Sequence, residues 1–130
     1  MFHARLPITN TYTSCQALVF QTTLVNEGGC YNSNTGHFVA SVSGVYMFTM
    51  QYCTETDKWA RFDIVKEGTP LQRSVDNGIG GARCFSMQAF AKVSMGEKVW
   101  VRSTYSTSEV YQSDPNSNSF AGMLINNLVI

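Results

Sequence analysis

The chain has 130 residues, 44% of them apolar and only 14% charged, with nine Lys or Arg against nine Asp or Glu. The apolar share excludes a disordered chain, and zero net charge argues against a partner gripped through its phosphates, so no nucleic acid is expected. No window reaches the roughly 18 apolar residues of a membrane-spanning helix, and charge so far below the roughly 25% usual in soluble domains predicts that partners cover some of the surface.

The first strand starts at once, because Met1-Phe2-His3-Ala4-Arg5 has no apolar segment of the kind a signal peptide carries. Residues 16–25 alternate, with Leu18, Phe20, Thr22 and Leu24 on one face. Asn26-Glu27-Gly28-Gly29 and Asn32-Ser33-Asn34-Thr35-Gly36 are turns. Residues 37–42 form a strand with Phe38, Ala40 and Val42 together, and residues 44–53 the clearest one, with Tyr46, Phe48, Met50 and Tyr52 on its inner face. After the polar loop Glu55-Thr56-Asp57-Lys58, residues 59–65 turn Phe62 and Ile64 inward and Arg61 and Asp63 outward. Glu67-Gly68-Thr69-Pro70 is a turn, 71–75 a short strand and 76–81 a glycine-rich loop. Residues 84–93 align Phe85, Met87, Ala89, Ala91 and Val93, and residues 98–105 point Val99 and Val101 inward. Residues 106–118 make the longest polar loop, and 119–129 the last strand. Short strands at this spacing, with no helical period, no repeat and no linker, predict one all-β domain over 1–130, a sandwich or jelly roll of two antiparallel sheets.

Three strands carry apolar residues on their second face as well. These are Val45 and Met47 in 44–53, Phe90 in 84–93, and Met123, Ile125 and Val129 in 119–129. With no helices to cover that face, another copy of the chain is the economical cover, and Val45, Met47, Phe90, Met123 and Ile125 are the expected interface.

Nothing in the chain is arranged for catalysis. His37 lies beside a core Phe at a turn and is expected in solvent, His3 is an ordinary strand residue, and there is no nucleophile elbow or phosphate loop. Cys15, Cys30, Cys53 and Cys84 contain no C-x-x-C pair, which speaks against zinc; three disulfide pairings, or free thiols, all remain open. Two features suit a ligand. The loop 106–118 combines Tyr111 with Glu109, Gln112, Asp114 and Asn116, an aromatic face and polar groups of the kind a glycan needs. Trp100, flanked by Lys98 and Arg102 two residues away on either side, marks a contact site or a cation–π packing at a subunit boundary.

Phe20, Asn26, Tyr31, Phe38, Gly44, Tyr46 and Phe48 stand at the spacing of the signature of the complement C1q globular domain, and the chain resembles that family. Met50 stands where the family prefers Phe or Tyr. Phe2-x-Ala4, Gly96-Glu97-Lys98-Val99-Trp100-Val101 and Ser119-Phe120-Ala121-Gly122-Met123-Leu124-Ile125 extend the likeness along the whole chain. The resemblance implies a jelly roll of about ten strands in the C1q and tumour-necrosis-factor superfamily, secreted, assembled as a homotrimer and without enzymatic activity. The chain has no Gly-x-y collagen run, and its opening is similar to that of short secreted invertebrate members, some of them innate-immune lectins. Glycans or bacterial surface molecules are therefore the expected partners, with a trimeric signalling or adhesion ligand for a protein receptor as the alternative. No cofactor is required, but members of the family can hold calcium with acidic side chains, for which Asp57, Asp76 and Asp114, with Glu109, are the candidates.

Overall fold

The computed structural model describes residues 1–112 and 118–127. Among them run eleven strands: β1 (Phe2–Pro7), β2 (Thr11–Tyr12), β3 (Phe20–Asn26), β4 (Phe38–Val39), β5 (Gly44–Thr54), β6 (Trp59–Lys66), β7 (Thr69–Asn77), β8 (Arg83–Val93), β9 (Lys98–Ser103), β10 (Ser108–Glu109) and β11 (Ser119–Asn127). They form a five-stranded sheet in the order β3-β1-β11-β5-β8, a four-stranded sheet in the order β4-β9-β6-β7, and a two-stranded ladder of β10 with β2. Every pairing between these strands is antiparallel. This is the all-β jelly roll expected from the strand spacing.

The core is a run of aromatic rings between the sheets, supplied by the period-two faces of the strands. Phe2 stacks on Tyr31 at 5.0 Å and meets the edge of Phe120 at 5.0 Å, and Phe38 meets Phe48 edge-on at 5.3 Å. Offset and edge-to-face contacts of this kind add to the burial of the rings themselves. Tyr52 against Phe62 at 4.9 Å fills the other end.

The residues that carry the family resemblance have mechanical jobs. The Tyr31 hydroxyl donates to the carbonyl of Phe20 and accepts from its amide, both at 2.9 Å. Burial pushes the pKa of that phenol up to about 12. Asn26 in turn exchanges two hydrogen bonds with the Tyr31 backbone, so the turn after β3 is locked at both ends. Gly44 has no side chain because a Cβ there would come within 2.6 Å of the Asn126 carbonyl on β11. Gly122 leaves room for the rings of Phe2 and Phe48, which a Cβ would approach to 2.6 and 2.7 Å.

Several local expectations are corrected: the strand expected over 37–42 is only β4, and Val42 is exposed rather than in line with Phe38 and Ala40. Strand β3 begins at Phe20, not at residue 16, and a bulge in its pairing with β1 leaves Leu24 exposed, out of line with Leu18 and Phe20. The turn after β6 is only Glu67-Gly68, both with positive φ, as a tight two-residue hairpin requires. Strand β7 therefore runs from Thr69 to Asn77 and takes in Asp76, which is buried and not part of a loop. Asp63 does lie on the outer face of β6, yet it is fully buried. Arg73 clamps its carboxylate with two bonds of 2.6 and 2.8 Å, and Arg102 closes to 3.7 Å. Long arginine side chains reaching across from β7 and β9 thus form a lid over the central strand.

Cys53 and Cys84 face each other in the β5–β8 register and form a disulfide; Cys15 is exposed and Cys30 half-buried, both as thiols. Next to it, Asp76 of β7 accepts from the Thr54 hydroxyl of β5 at 2.6 Å, from Arg83 of β8 at 2.8 Å and from the Gly78 amide at 3.0 Å. Burial alone would raise the Asp76 pKa, but these donors outweigh it and hold the group below its usual value. A carboxyl with a lowered folded-state pKa adds stability above its unfolded pKa, near 4, and loses it as pH falls through the folded value. Asp76→Asn should therefore melt well below wild type at pH 7, and the gap should close as pH drops under about 4. A gap that stays constant from pH 7 to pH 3 would contradict this assignment.

Candidate functional site

The loop between β5 and β6 and the stretch between β9 and β10 meet at one end of the sandwich. They enclose a cleft of about 480 Å³ lined by Asp57, Lys58, Trp59, Tyr105, Ser106, Thr107 and Glu109. Trp59 is the first residue of β6 and lies on its outer face, and 54% of its surface is open. It is held without being covered. Tyr105 meets the indole edge-on at 5.9 Å, and Gly78 lies so close that a Cβ there would reach to 2.9 Å from the indole nitrogen. The Arg61 guanidinium sits 5.6 Å from the centre of the Tyr105 ring. Lys58 and Glu109 pair at 3.6 Å across the cleft. A rigid aromatic wall beside carboxylates, an ammonium and hydroxyls can stack on an apolar ring face and bond the polar groups around its rim.

Of the residues expected from the sequence, Glu109 and Asp57 are in this cleft. Tyr111 is exposed but does not line it; its amide donates to the Cys53 carbonyl and its own carbonyl accepts from Asn118. Gln112 accepts from Asn118 as well. Asn118 is fully buried and also accepts from the Cys53 amide, so it ties the loop onto β5. Asp114 and Asn116 lie outside the described residues. Trp100 is not an open platform. His37 stacks on it at 4.5 Å, so His37 is half-buried rather than in solvent, and burial followed by the Lys98 charge lowers its pKa. Arg102 donates to the Gly68 carbonyl and faces Asp63.

Asp76 does not fit a calcium ion, since Arg83 and Thr54 occupy its oxygens. Among the described residues no group of three or more His, Cys, Asp or Glu side chains is placed to hold a metal. Trp59, Tyr105, Lys58 and Thr107 were not expected as site residues. The signal available for Trp59 was its parity, because alternation puts it on the same outer face as Arg61 and Asp63.

The outer face of the five-stranded sheet carries a different feature. Phe90 of β8 pairs with Met47 of β5, and Met47 pairs with Met123 of β11, making one apolar row across three strands. Phe90 is 65% exposed and Met123 42%, while Met47 and its neighbour Val45 are half-buried. Ile125, the extra residue at a bulge in β11, is exposed beside them.

The sequence matches the C1q domain over residues 1–125. The chain belongs to the C1q-domain family. It is 33% identical over 108 residues to complement C1q tumor necrosis factor-related protein 2 of Mus musculus, covering 82% of this chain and 36% of that protein. Its fold superposes on the globular domain of zebrafish complement 1qA with a TM-score of 0.80 at 20% identity, over 98% of both chains. The Eiger TNF of S. frugiperda matches with a TM-score of 0.72 at 11% identity, over 99% of this chain and 94% of that one. The chain spans between about a third and a half of the length of the curated relatives it matches. C1q domains are binding and signalling modules rather than enzymes, and no helix among the described residues is long and apolar enough to cross a membrane.

Proposed function

We propose that this C1q domain acts outside the cell as a homotrimer that binds glycans of microbial or cell surfaces in the Trp59–Tyr105 cleft. The observation that carries the reading is the exposed Trp59, held by Tyr105 and Gly78 yet left open beside Asp57, Lys58 and Glu109. What sets Trp59 apart from the other exposed apolar side chains is its setting, an indole face beside Tyr105 with carboxylates, an ammonium and hydroxyls around it, the mixture that ligand sites use. The trimer is supported by the apolar row Phe90, Met47 and Met123, with Val45 and Ile125 beside it, and by the low charge of the chain. The extracellular location is supported by the Cys53–Cys84 disulfide, which oxidising compartments preserve.

A single cleft binds weakly, because a sugar trades water contacts for similar protein contacts. Three clefts on one particle hold a glycan-coated surface by avidity. Loss of the stacking ring is worth about 1 kcal/mol, roughly fivefold at one site and roughly a hundredfold where three sites bind together. Trp59→Ala should therefore abolish retention on glycan-coated beads or bacteria while leaving the melting temperature nearly unchanged. Undiminished retention, or no competition by any sugar at millimolar concentration, overturns the reading. The same assay with a chelator tests whether Asp57, with Asp114, engages calcium.

A trimeric ligand for a protein receptor is the second reading. Exposed Val75 and Ile79, together with Phe85 under the Arg83 guanidinium at 5.2 Å, form an apolar patch where β7 and β8 run side by side. Sugar-insensitive binding that Ile79→Asp removes would favour it.

A further inference from the structure

The Trp59 cleft does not end at the Lys58–Glu109 pair. Beyond that pair lies a second hollow of about 200 Å³, lined by Asn10, Glu55, Lys58, Glu109 and Val110. Lys58 and Glu109 line both spaces, so the two hollows adjoin at this ion pair. The two compartments differ in character. The first has an aromatic wall; the second has no ring and presents amide and carboxylate oxygens. Lys58 is already paired with Glu109, and among the described residues the Glu55 carboxylate makes no ion pair. The second compartment therefore carries an uncompensated negative charge.

Resting on the reading of the cleft as a glycan site, we infer that the two hollows act as one groove that takes a linear amino-sugar chain of at least two residues, with one ring on Trp59 and a free, protonated amino group of the next at Glu55. One pyranose stacks on the indole, and its glycosidic link crosses the Lys58–Glu109 pair. The following sugar has only polar neighbours, which bind its hydroxyls and select for its ammonium. An N-acetyl group in that position is neutral and forfeits the charge. An anionic sugar would be repelled by Glu55. The pairing of an aromatic subsite with an acidic one thus discriminates by chain length and by charge, two properties that a lone stacking platform does not read.

The test uses the whole protein and soluble glucosamine oligomers, titrated by calorimetry alongside their fully N-acetylated counterparts and the two monosaccharides. The glucosamine dimer should bind more tightly than either monosaccharide and about two- to fivefold more tightly than the N-acetylated dimer, the scale of one exposed ion pair. Glu55→Gln should erase that preference for the amine, the two dimers then binding alike, and added salt should do the same. A monosaccharide that binds as well as the dimer, or a Glu55→Gln variant that keeps the preference, overturns the two-compartment groove. In those cases sugar binding that Trp59→Ala still removes leaves the glycan reading standing. Absence of binding to every sugar, with wild-type folding intact, overturns both.

Discussion

Phe48→Ala is expected to lower the midpoint of thermal unfolding by more than about 10 °C and to leave little soluble protein. The ring has no exposed surface and touches the rest of the aromatic core from β5: Phe38 at 5.3 Å, Tyr46 at 6.0 Å and Phe120 at 6.3 Å. Gly122 is kept bare of a side chain partly for its sake. Removing a buried Phe costs about 3–5 kcal/mol, because the transfer energy is lost and the cavity collapses only in part. Native domains hold about 5–15 kcal/mol in all, so the variant sits near the edge of folding. For a domain of this size each kcal/mol moves the midpoint by a few degrees. Calorimetry or circular dichroism on whatever variant can be purified checks the shift. A change of less than about 5 °C would mean that the core does not depend on this ring.

The second large effect concerns assembly. Wild-type protein should scatter light as a particle of three times the 14.4 kDa of one chain, and Met47→Glu should scatter as one chain. Met47 stands at the middle of the apolar row, with Phe90 on one side and Met123 on the other. A carboxylate there would be buried without a partner in the assembly, at a cost of several kcal/mol, and symmetry repeats it in every copy. In the isolated subunit the position is only half-buried, so the fold itself should survive and the spectrum of the strands should be unchanged. Met47→Leu, which keeps volume and polarity, should still assemble. A monomeric wild type at micromolar concentration overturns the trimer.

How much of this the sequence disclosed depends on what each feature needs. The phases of β5 and β8 are readable because the two strands pair without a bulge, and Tyr46, Phe48, Met87 and Ala89 are buried where alternation puts them. Leu24 defeats the same reasoning, because one bulged residue inverts the parity and no local residue announces it. Asp63 faces the side that alternation assigns; its burial comes from Arg73 and Arg102, which are distant in sequence and adjacent only through the pairing of β6 with β7 and β9. The Cys53–Cys84 bond likewise follows from the β5–β8 register, across 31 residues of sequence. The cleft is the least readable feature. Its residues come from two segments about fifty positions apart, and parity puts Trp59 on the outer face without saying whether a neighbour covers it, as the arginines cover Asp63 on that same face.

The order β3-β1-β11-β5-β8 also governs how the molecule is made. Of the described strands, the one synthesised last lies at the centre of the larger sheet, between β1 and β5. Until β11 leaves the ribosome, β1 and β5 each keep an unpaired hydrogen-bonding edge, and Phe2 and Phe48 lack the Phe120 ring between them. Such edges template pairing with other chains, and contacts between the two ends of a sequence form slowly. The nascent domain therefore cannot complete its fold as it emerges. A chain broken off before Ser119 exposes those edges permanently, which makes premature termination a route to aggregation rather than to a smaller, weaker binder.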